Sequence, residues 1–396
     1  MKGIKYICPV FDPTGYGEAS RNHLMSLIKA NVPITIQRIQ YEPTEKELYG
    51  EMGETLSQFI DRLIDYDVVV QHLTPEHFPR FKEAGKINIG FMYWETSRIP
   101  EQWVGDINNH VDAVFVVCDY TVDSLHNSGI TVPVYKILPA MNAEYFKSDA
   151  KVVIPGLSYD VYKFYSIFQW TERKNPGGLL KAYLTTFTND DKVELIIKTY
   201  VNDTSTRSRD FIRQEIINLK GGLQLPADKY PPIRLLWQFL TRDEVIALHR
   251  LGDCFVLPHR SEGLGMPHLE AMFAGKPVIS TDIGGNVEFM FDANSYLISH
   301  QLTPVFGMGW APWYKGNQLW GEPNIKELMD KMRYVYDHQN EAIEVARKAK
   351  IYVEEKYTYE SSSKTLIDVI NKVEDRVSTV GLKFGGSDES PKPDLL

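Results

Sequence analysis

Short apolar runs alternate along the chain with stretches whose apolar positions recur at helical spacing. Runs at 4–10, 34–39, 67–72, 87–94, 113–117 and 134–137 predict buried strands. Between them, 18–30, 51–63, 101–109 and 119–128 predict helices, with Leu24, Leu27 and Ile28 on one face of the first. The rhythm then repeats. Strands are predicted at 162–169, 193–199, 235–239, 254–257 and 278–280, and helices at 176–187, 211–219, 242–251 and from Pro267 to the stop at Gly275. A short helix is expected at 286–290, and helices at 325–337, 341–356 and 359–377 close the chain. Strict strand–helix alternation predicts an α/β protein with parallel, doubly wound sheets, here in two copies.

Less regular stretches place the boundaries. Residues 146–158 are polar and then interrupted by proline and glycine, which marks a linker. The expected units are 1–152, completed by the helix at about 359–378, and 153–356. Residues 41–60 and 201–210 read as mainly polar segments, and 301–323, with Trp310, Trp313 and Trp320, as an irregular loop. The tail 381–396 has the composition of a disordered segment.

A length of 396 residues agrees with two cores, since a single core rarely grows past about 250–300 residues. A net charge of −9 argues against a general grip on a nucleic-acid backbone. Cys8, Cys118 and Cys254 lie in or beside strand-like runs and offer neither a disulfide framework nor metal-ligand spacing. The opening MKGIKYICPVF is too short for a signal peptide, and no run approaches a membrane span. These features together read as a cytoplasmic, soluble protein whose oligomeric state carries no sequence signal.

The densest chemistry lies at 259–279, HRSEGLGMPHLEAMFAGKPVI. A predicted strand ends just before it, Gly263 and Gly265 open the loop, and Pro267 starts a helix. Glu262 and Glu270 flank that turn with seven residues between them. Alone, two such glutamates would be a solvated loop and helix surface. At the C-terminal end of a strand in an α/β sheet, beside a helix N-terminus, they outline a site for phosphate and hydroxyl groups.

This stretch resembles the E-x7-E signature of retaining GT-B glycosyltransferases, family 4 in particular. The resemblance implies two Rossmann-like domains facing a cleft, and transfer of a sugar from a nucleotide-diphosphate donor, such as GDP-mannose or UDP-glucose, to an acceptor hydroxyl. It implies that Glu270 holds the ribose and Glu262 the transferred sugar, with the backbone of Gly263, Leu264, Gly265 and Met266 between them. Glu172-Arg173-Lys174-Asn175-Pro176 resembles the family's cationic turn. Asn175 suits an N-cap and Pro176 the first helical position, so Arg173 and Lys174 flank a helix N-terminus and would neutralise the leaving diphosphate.

Other positions follow from the same resemblance. Gly15, Tyr16 and Gly17 form a glycine turn facing the donor phosphates, with Arg21 one turn further on. Lys198, Thr199 and Phe239 are expected near the nucleotide. Glu95, after Trp94, stands where many members carry a histidine, and takes a catalytic or acceptor role. His72, Trp94 and Arg21 are the further acceptor candidates. Gly284-Gly285 resembles a turn close to the donor pocket. No metal constellation appears: Asp65-Tyr66-Asp67 precedes a strand and reads as a loop, and the cationic pair with helix dipoles can supply a metal's electrostatic role. No cofactor is implied. The rival readings are a same-fold hydrolase or epimerase, a phosphorylase, which lacks a recognisable pyridoxal lysine here, and a non-catalytic nucleotide-sugar-binding protein.

Overall fold

The computed structural model describes residues 2–40, 49–158, 160–201 and 203–384, with side chains through 379; residues 41–48 of the polar stretch and 385–396 of the expected tail lie outside the described residues. The first sheet is built from β1 (Ile4–Cys8), β2 (Ile34–Arg38), β3 (Val68–His72), β4 (Ile87–Phe91), β5 (Ala113–Val116) and β6 (Val134–Lys136), in the order β2-β1-β3-β4-β5-β6. Every neighbouring pair is parallel, with Ile4 opposite both Ile34 and Val68. Connecting helices are α1 (Gly15–Lys29), α2 (Gly50–Ser57), α3 (Phe78–Phe81), α4 (Glu101–His110) and α5 (Asp119–Asn127).

The second sheet combines β7 (Tyr162–Gln169), β8 (Val193–Tyr200), β9 (Ile233–Leu236), β10 (Cys254–Leu257), β11 (Val278–Thr281) and β12 (Tyr296–Ile298), in the order β12-β11-β10-β7-β8-β9. It too is parallel throughout. Between its strands run α6 (Pro176–Thr186), α7 (Thr206–Leu223), α8 (Arg242–Leu251) and α9 (Met266–Phe273). β3, β5 and β10 are buried along their whole length, as expected where helices cover both faces of a parallel sheet.

An antiparallel pair, β13 (His300–Pro304) and β14 (Leu319–Pro323), precedes α10 (Ile325–Asp337), α11 (Gln339–Lys356) and α12 (Tyr359–Phe384). After α11 the Tyr357 hydroxyl donates to Glu288 O at 2.9 Å, and Thr358 bridges Met141. α12 then packs on α1 of the first unit, where Tyr359 Oη donates to Asn22 Oδ1 at 2.9 Å and Ser362 Oγ to Leu138 O at 2.9 Å.

The C-terminal edges of the two sheets face each other. Cys118, just past β5, lies 3.4 Å from the carbonyl of Gly263, just past β10. Asp119 N donates to Glu288 at 2.7 Å, and Lys136 pairs with Glu288 at 3.0 Å. In parallel α/β sheets this edge, where strands give way to helix N-termini, is where ligands bind.

β7, α8 and β10 have their expected bounds. Other expectations change: the helix expected at 51–63 ends at Ser57, and the one expected at 286–290 is a 3₁₀ turn over Gly285–Glu288. Gly15–Gly17 is not a turn but the first turn of α1, because the Thr14 side chain accepts from Gly17 N and caps the helix there. α7 begins at Thr206, within the expected polar loop, because Ser205 caps it. The strand expected at 235–239 lies earlier, at Ile233–Leu236, which leaves Phe239 in a loop and 55% exposed. The stretch 301–323 is not irregular throughout: its ends pair as β13 and β14.

Candidate functional site

The loop leaving β10 is shaped by backbone constraints. Gly265 has φ 81°, a left-handed conformation that costs a side-chain-bearing residue energy, and no side chain caps α9. In the first turn of α9, Pro267 has no N–H and His268 N donates to Gly265 O at 3.0 Å, which leaves the Met266 N–H to face a ligand. Gly285 lies against this loop: its N–H donates to Glu262 O at 2.6 Å, and a Cβ there would sit 2.3 Å from Gly263 O. The Gly284-Gly285 turn therefore directly supports the Glu262 backbone.

Arg173 and Lys174 lie on a single 3₁₀ turn after β7. Asn175 fixes its place. In a left-handed conformation at φ 54°, its Oδ1 accepts from Gly178 N at 3.1 Å, capping α6, while its Nδ2 donates to Pro258 O at 3.0 Å. One asparagine thereby ties the cationic turn to the loop after β10. Lys174 Nζ forms a short ion pair with Glu262 Oε1, and Arg173 Nη1 lies 3.3 Å from Oε2. Arg173 also donates to Ser261 O at 2.9 Å, and its Nη2 reaches Glu95 Oε1 of the first unit at 3.5 Å.

The electrostatics follow from burial. Desolvation alone would raise the Glu262 carboxyl, but Lys174 and Arg173 hold it well below the usual carboxylate range. For Lys174, burial and the adjacent Arg173 outweigh Glu262 and lower its pKa. Arg173 is pushed the other way: burial works against its charge, but Glu95, Tyr314 and Glu262 raise its pKa.

Glu270 has a separate set of partners. It is buried on α9, with Arg242 Nη1 in a short ion pair to Oε1 and His249 Nε2 3.1 Å from Oε2. His249 is oriented from behind by the Tyr165 hydroxyl at 2.9 Å. Burial opposes the Glu270 charge, but Arg242 and His249 together lower its pKa. Arg242 also lies 3.6 Å from Glu18 of α1. Burial would raise the Glu18 carboxyl; Arg242 and Arg21 instead bring it down to about 2.

The first-unit candidates divide. Glu95 reaches the cluster. Tyr16 accepts from Tyr93 N at 3.1 Å and donates to Tyr93 O at 3.3 Å, tying α1 to the segment after β4. Trp94 is nearly buried, donates to Thr96 Oγ1 and Arg98 O, and carries Tyr314 stacked on its ring. Two acceptor candidates sit deeper than expected. Arg21 is 2% exposed, because its guanidinium donates to Val10 O, Asp12 O and Glu18 and lies 3.9 Å over the Tyr49 ring. His72 is fully buried, with Tyr6 Oη 2.8 Å from Nδ1 and Phe91 stacked at 3.9 Å; burial lowers its pKa well below the ordinary value.

On the donor side, Leu264 is buried and Met266 half-buried. Lys198 lies within β8, two residues before its end, with its ammonium 5.3 Å from the Tyr200 ring, and burial lowers its pKa to about 8. The adjacent Thr199 is buried, and its hydroxyl lacks a hydrogen-bond partner among the described residues. Among the described residues no group of three or more His, Cys, Asp or Glu is placed to hold a metal ion, and no helix is long and apolar enough to cross a membrane.

Sequence reasoning missed Arg242, His249 and Tyr314. A signal existed for Arg242. It is the first residue of α8, where the dipole disfavours a cation and where Asp243 and Glu244 follow the usual preference. An arginine there needs a carboxylate from elsewhere in the fold. Tyr314 had no comparable signal, since its partner lies 219 residues away in sequence.

Residues 234–301 match the family of glycosyl transferases, group 1. The chain is 24% identical over 197 residues to D-inositol 3-phosphate glycosyltransferase of Arthrobacter sp., a match covering 48% of this chain and 42% of that protein. Its fold is similar to sucrose-phosphate synthase of Thermosynechococcus elongatus, with TM-score 0.66 and 13% identity over 95% of this chain and all of the other. It is also similar to Anabaena HepE, solved with UDP and glucose, with TM-score 0.62 and 12% identity over 94% of this chain and 100% of that one. The architecture is thus the GT-B fold, two Rossmann-like units facing a cleft, and the matched segment contains β10, the site loop and α9.

Proposed function

We propose that this chain is a retaining glycosyltransferase of family 4 type, moving a sugar from a nucleoside-diphosphate donor to an acceptor hydroxyl. The observation that carries the reading is the separation of Glu262 and Glu270 into two environments. Glu262 faces Arg173 and Lys174 at an uncapped helix N-terminus, while Glu270 is held apart on Arg242 and His249. One ligand with a diphosphate between two hydroxyl-bearing rings fits that spacing of roles. The match of 234–301 to group 1 glycosyl transferases supports it independently.

In this reading Glu270 accepts hydrogen bonds from the ribose hydroxyls and Glu262 from the sugar. Backbone N–H groups of 263–266 and the α9 dipole face the diphosphate. Arg173 and Lys174 stabilise the charge that develops as the glycosidic C–O bond breaks, a role for fixed cations in a site shielded from water. The acceptor oxygen attacks from the face the diphosphate leaves, and a phosphate oxygen takes its proton, so that no enzyme nucleophile is required. Glu95, contributed by the other unit, orients Arg173 and faces the acceptor. The reading assigns the charge-neutralising task to Arg173 and Lys174 rather than to a metal ion, so transfer should persist in excess chelator.

The test is release of nucleoside diphosphate from a panel of nucleotide sugars, with and without candidate saccharide acceptors, followed by mass spectrometry of the products. Glu270→Ala should mainly weaken nucleotide binding. Arg173→Ala should lower turnover by orders of magnitude, each about 1.4 kcal/mol of lost transition-state stabilisation being tenfold. Release without acceptor at full rate points to a hydrolase. Donor binding without any release, indifferent to Glu262→Ala, points to a non-catalytic binding protein.

A further inference from the structure

We propose that Tyr314 is a positioning residue for the transfer step, seating Glu95 against Arg173 from a loop that the second unit extends across the cleft. The inference rests on the proposed function and adds to it a residue outside the matched segment 234–301.

The base of the hairpin belongs to the second unit. Gly321 N donates to Arg260 O at 2.8 Å, and Arg260 forks onto Glu322 at 2.6 and 3.2 Å. Its connecting loop crosses to the first unit. Trp313 packs on Trp103 at 5.3 Å, Tyr314 stacks on Trp94 at 5.3 Å and 22°, and Leu319 N donates to Ser97 Oγ at 2.9 Å while Ser97 N donates to Leu319 O at 2.9 Å. The loop has a small core of its own, made by Val305, Met308, Ala311 and Trp320. Gln318 closes it, with its side chain donating to Trp313 O at 3.0 Å and its carbonyl accepting from Val305 N at 2.9 Å. The Tyr314 hydroxyl is therefore delivered by an ordered element with a defined direction.

That hydroxyl donates to Glu95 Oε2 at 3.0 Å. The other carboxylate oxygen, Oε1, faces Arg173 at 3.5 Å, and Arg173 in turn lies 3.3 Å from Glu262. A glutamate side chain has several rotatable bonds, and Glu95 is 17% exposed, so one ion pair alone leaves its rotamer loosely defined. With one oxygen fixed by the tyrosine, the other is aimed at the guanidinium. The contact also forms only when the hairpin loop lies on the first unit. Arg173 thus acquires its alignment with Glu95 in the closed arrangement, when water is excluded.

The experiment compares wild type, Tyr314→Phe, Glu95→Gln, the double variant and Arg173→Ala, using the nucleotide sugar and acceptor that give the fastest transfer in the panel. Phenylalanine keeps the stack on Trp94 and removes only the hydroxyl. Tyr314→Phe is expected to lower kcat about tenfold, the usual effect of losing one hydrogen bond to a charged group. Donor KM should stay within twofold, because the donor's partners are Glu262, Glu270 and Lys174. The double variant should lose no more than the weaker of the two single variants. A purely structural tyrosine would instead lower the melting temperature and raise donor KM together, and that result overturns the assignment. So does a Tyr314→Phe rate within twofold of wild type beside an inactive Arg173→Ala, or a double variant that loses the product of the two single losses. Wild type without transfer, or Arg173→Ala at the wild-type rate, overturns the functional reading and the Tyr314 assignment with it.

Discussion

Replacing Arg242 with methionine should destabilise the protein by about 3 kcal/mol at pH 7, with the loss shrinking in acid. Arg242 is 15% exposed, and its partners Glu270 and Glu18 are 5% and 16% exposed. Removing one member of a buried ion pair typically costs about 3–5 kcal/mol, because the remaining charge is left without compensation. The low end applies here. Glu270 keeps His249 at 3.1 Å, and Glu18 keeps Arg21 at 2.8 Å and Asn22 at 3.1 Å. The sign of the pH dependence follows from linkage. Both carboxyls are depressed below 4.5 in the folded protein: burial works against them, and Arg242 heads the groups that pull them down. Their stabilisation is therefore complete above about pH 4.5 and is lost as pH falls through the folded values, that of Glu18 being about 2. Without Arg242 the Glu270 carboxyl moves upward, so the variant is relieved by protonation earlier than wild type. Denaturant midpoints at pH 7 and pH 4 would read this directly. Arg242→Met/Glu270→Gln should recover much of the loss, since it removes both charges. A variant within about 0.5 kcal/mol of wild type at pH 7, or a deficit that does not change with pH, would refute the argument.

Three further outcomes are expected. If the Lys198 ammonium contributes to nucleotide binding, affinity should weaken as pH rises through about 8, since the cationic form is present below that value; Lys198→Met should flatten the profile, and calorimetry from pH 7 to pH 9 would show it. Gly285→Ala places a Cβ 2.3 Å from Gly263 O, a backbone atom that cannot swing away, so a loss of about 1–3 kcal/mol is expected in thermal unfolding together with weaker donor binding. Lys174→Met leaves Glu262 with Arg173 alone and should lower turnover at least about tenfold; an unchanged rate would remove Lys174 from the chemistry.

Most strands of both sheets were legible from sequence because buried parallel strands are short apolar runs set off by amphipathic helices; β7, α8 and β10 fall where the pattern puts them, while the three-residue edge strand β12 was not expected. The local motifs were legible for a related reason. Glycine at 265 and Asn175 before Pro176 each mark a strand-to-helix turn, whatever the rest of the fold does. What joins those motifs was not legible. The bond from Asn175 to Pro258 brings Lys174 to Glu262 across 88 residues, and no local pattern announces it. The depth of two candidates on the first unit was not legible either. Arg21 and His72 are residue types that often serve ligands, but here both are buried and Val10, Asp12, Glu18 and Tyr6 take up part of their hydrogen bonding, while Arg21 Nε and His72 Nε2 have no partner among the described residues. Composition alone does not distinguish a polar residue that meets substrate from one that holds a loop in place.

The charge balance of the Glu262 cluster bears on how a donor enters it. Glu95, Arg173, Glu262 and Lys174 form a connected set of two carboxylates and two cations, which sums to zero. A diphosphate arriving at this set meets no net positive charge unless Lys174 is released from Glu262. Releasing it for a nucleoside diphosphate alone would leave Glu262, itself 7% exposed, buried beside only one cation. That is the costly half of breaking a buried pair. A complete nucleotide sugar avoids that cost, because its sugar hydroxyls can donate to Glu262 as Lys174 turns to the phosphate. The exchange replaces one ion pair of Glu262 with hydrogen bonds from neutral hydroxyls, leaves Arg173 as its remaining cation, and needs both parts of the donor at once. On the proposed reading, the short pair between Lys174 and Glu262 therefore does more than tie two loops together. It ties the availability of the phosphate-binding cation to the presence of the sugar that is to be transferred.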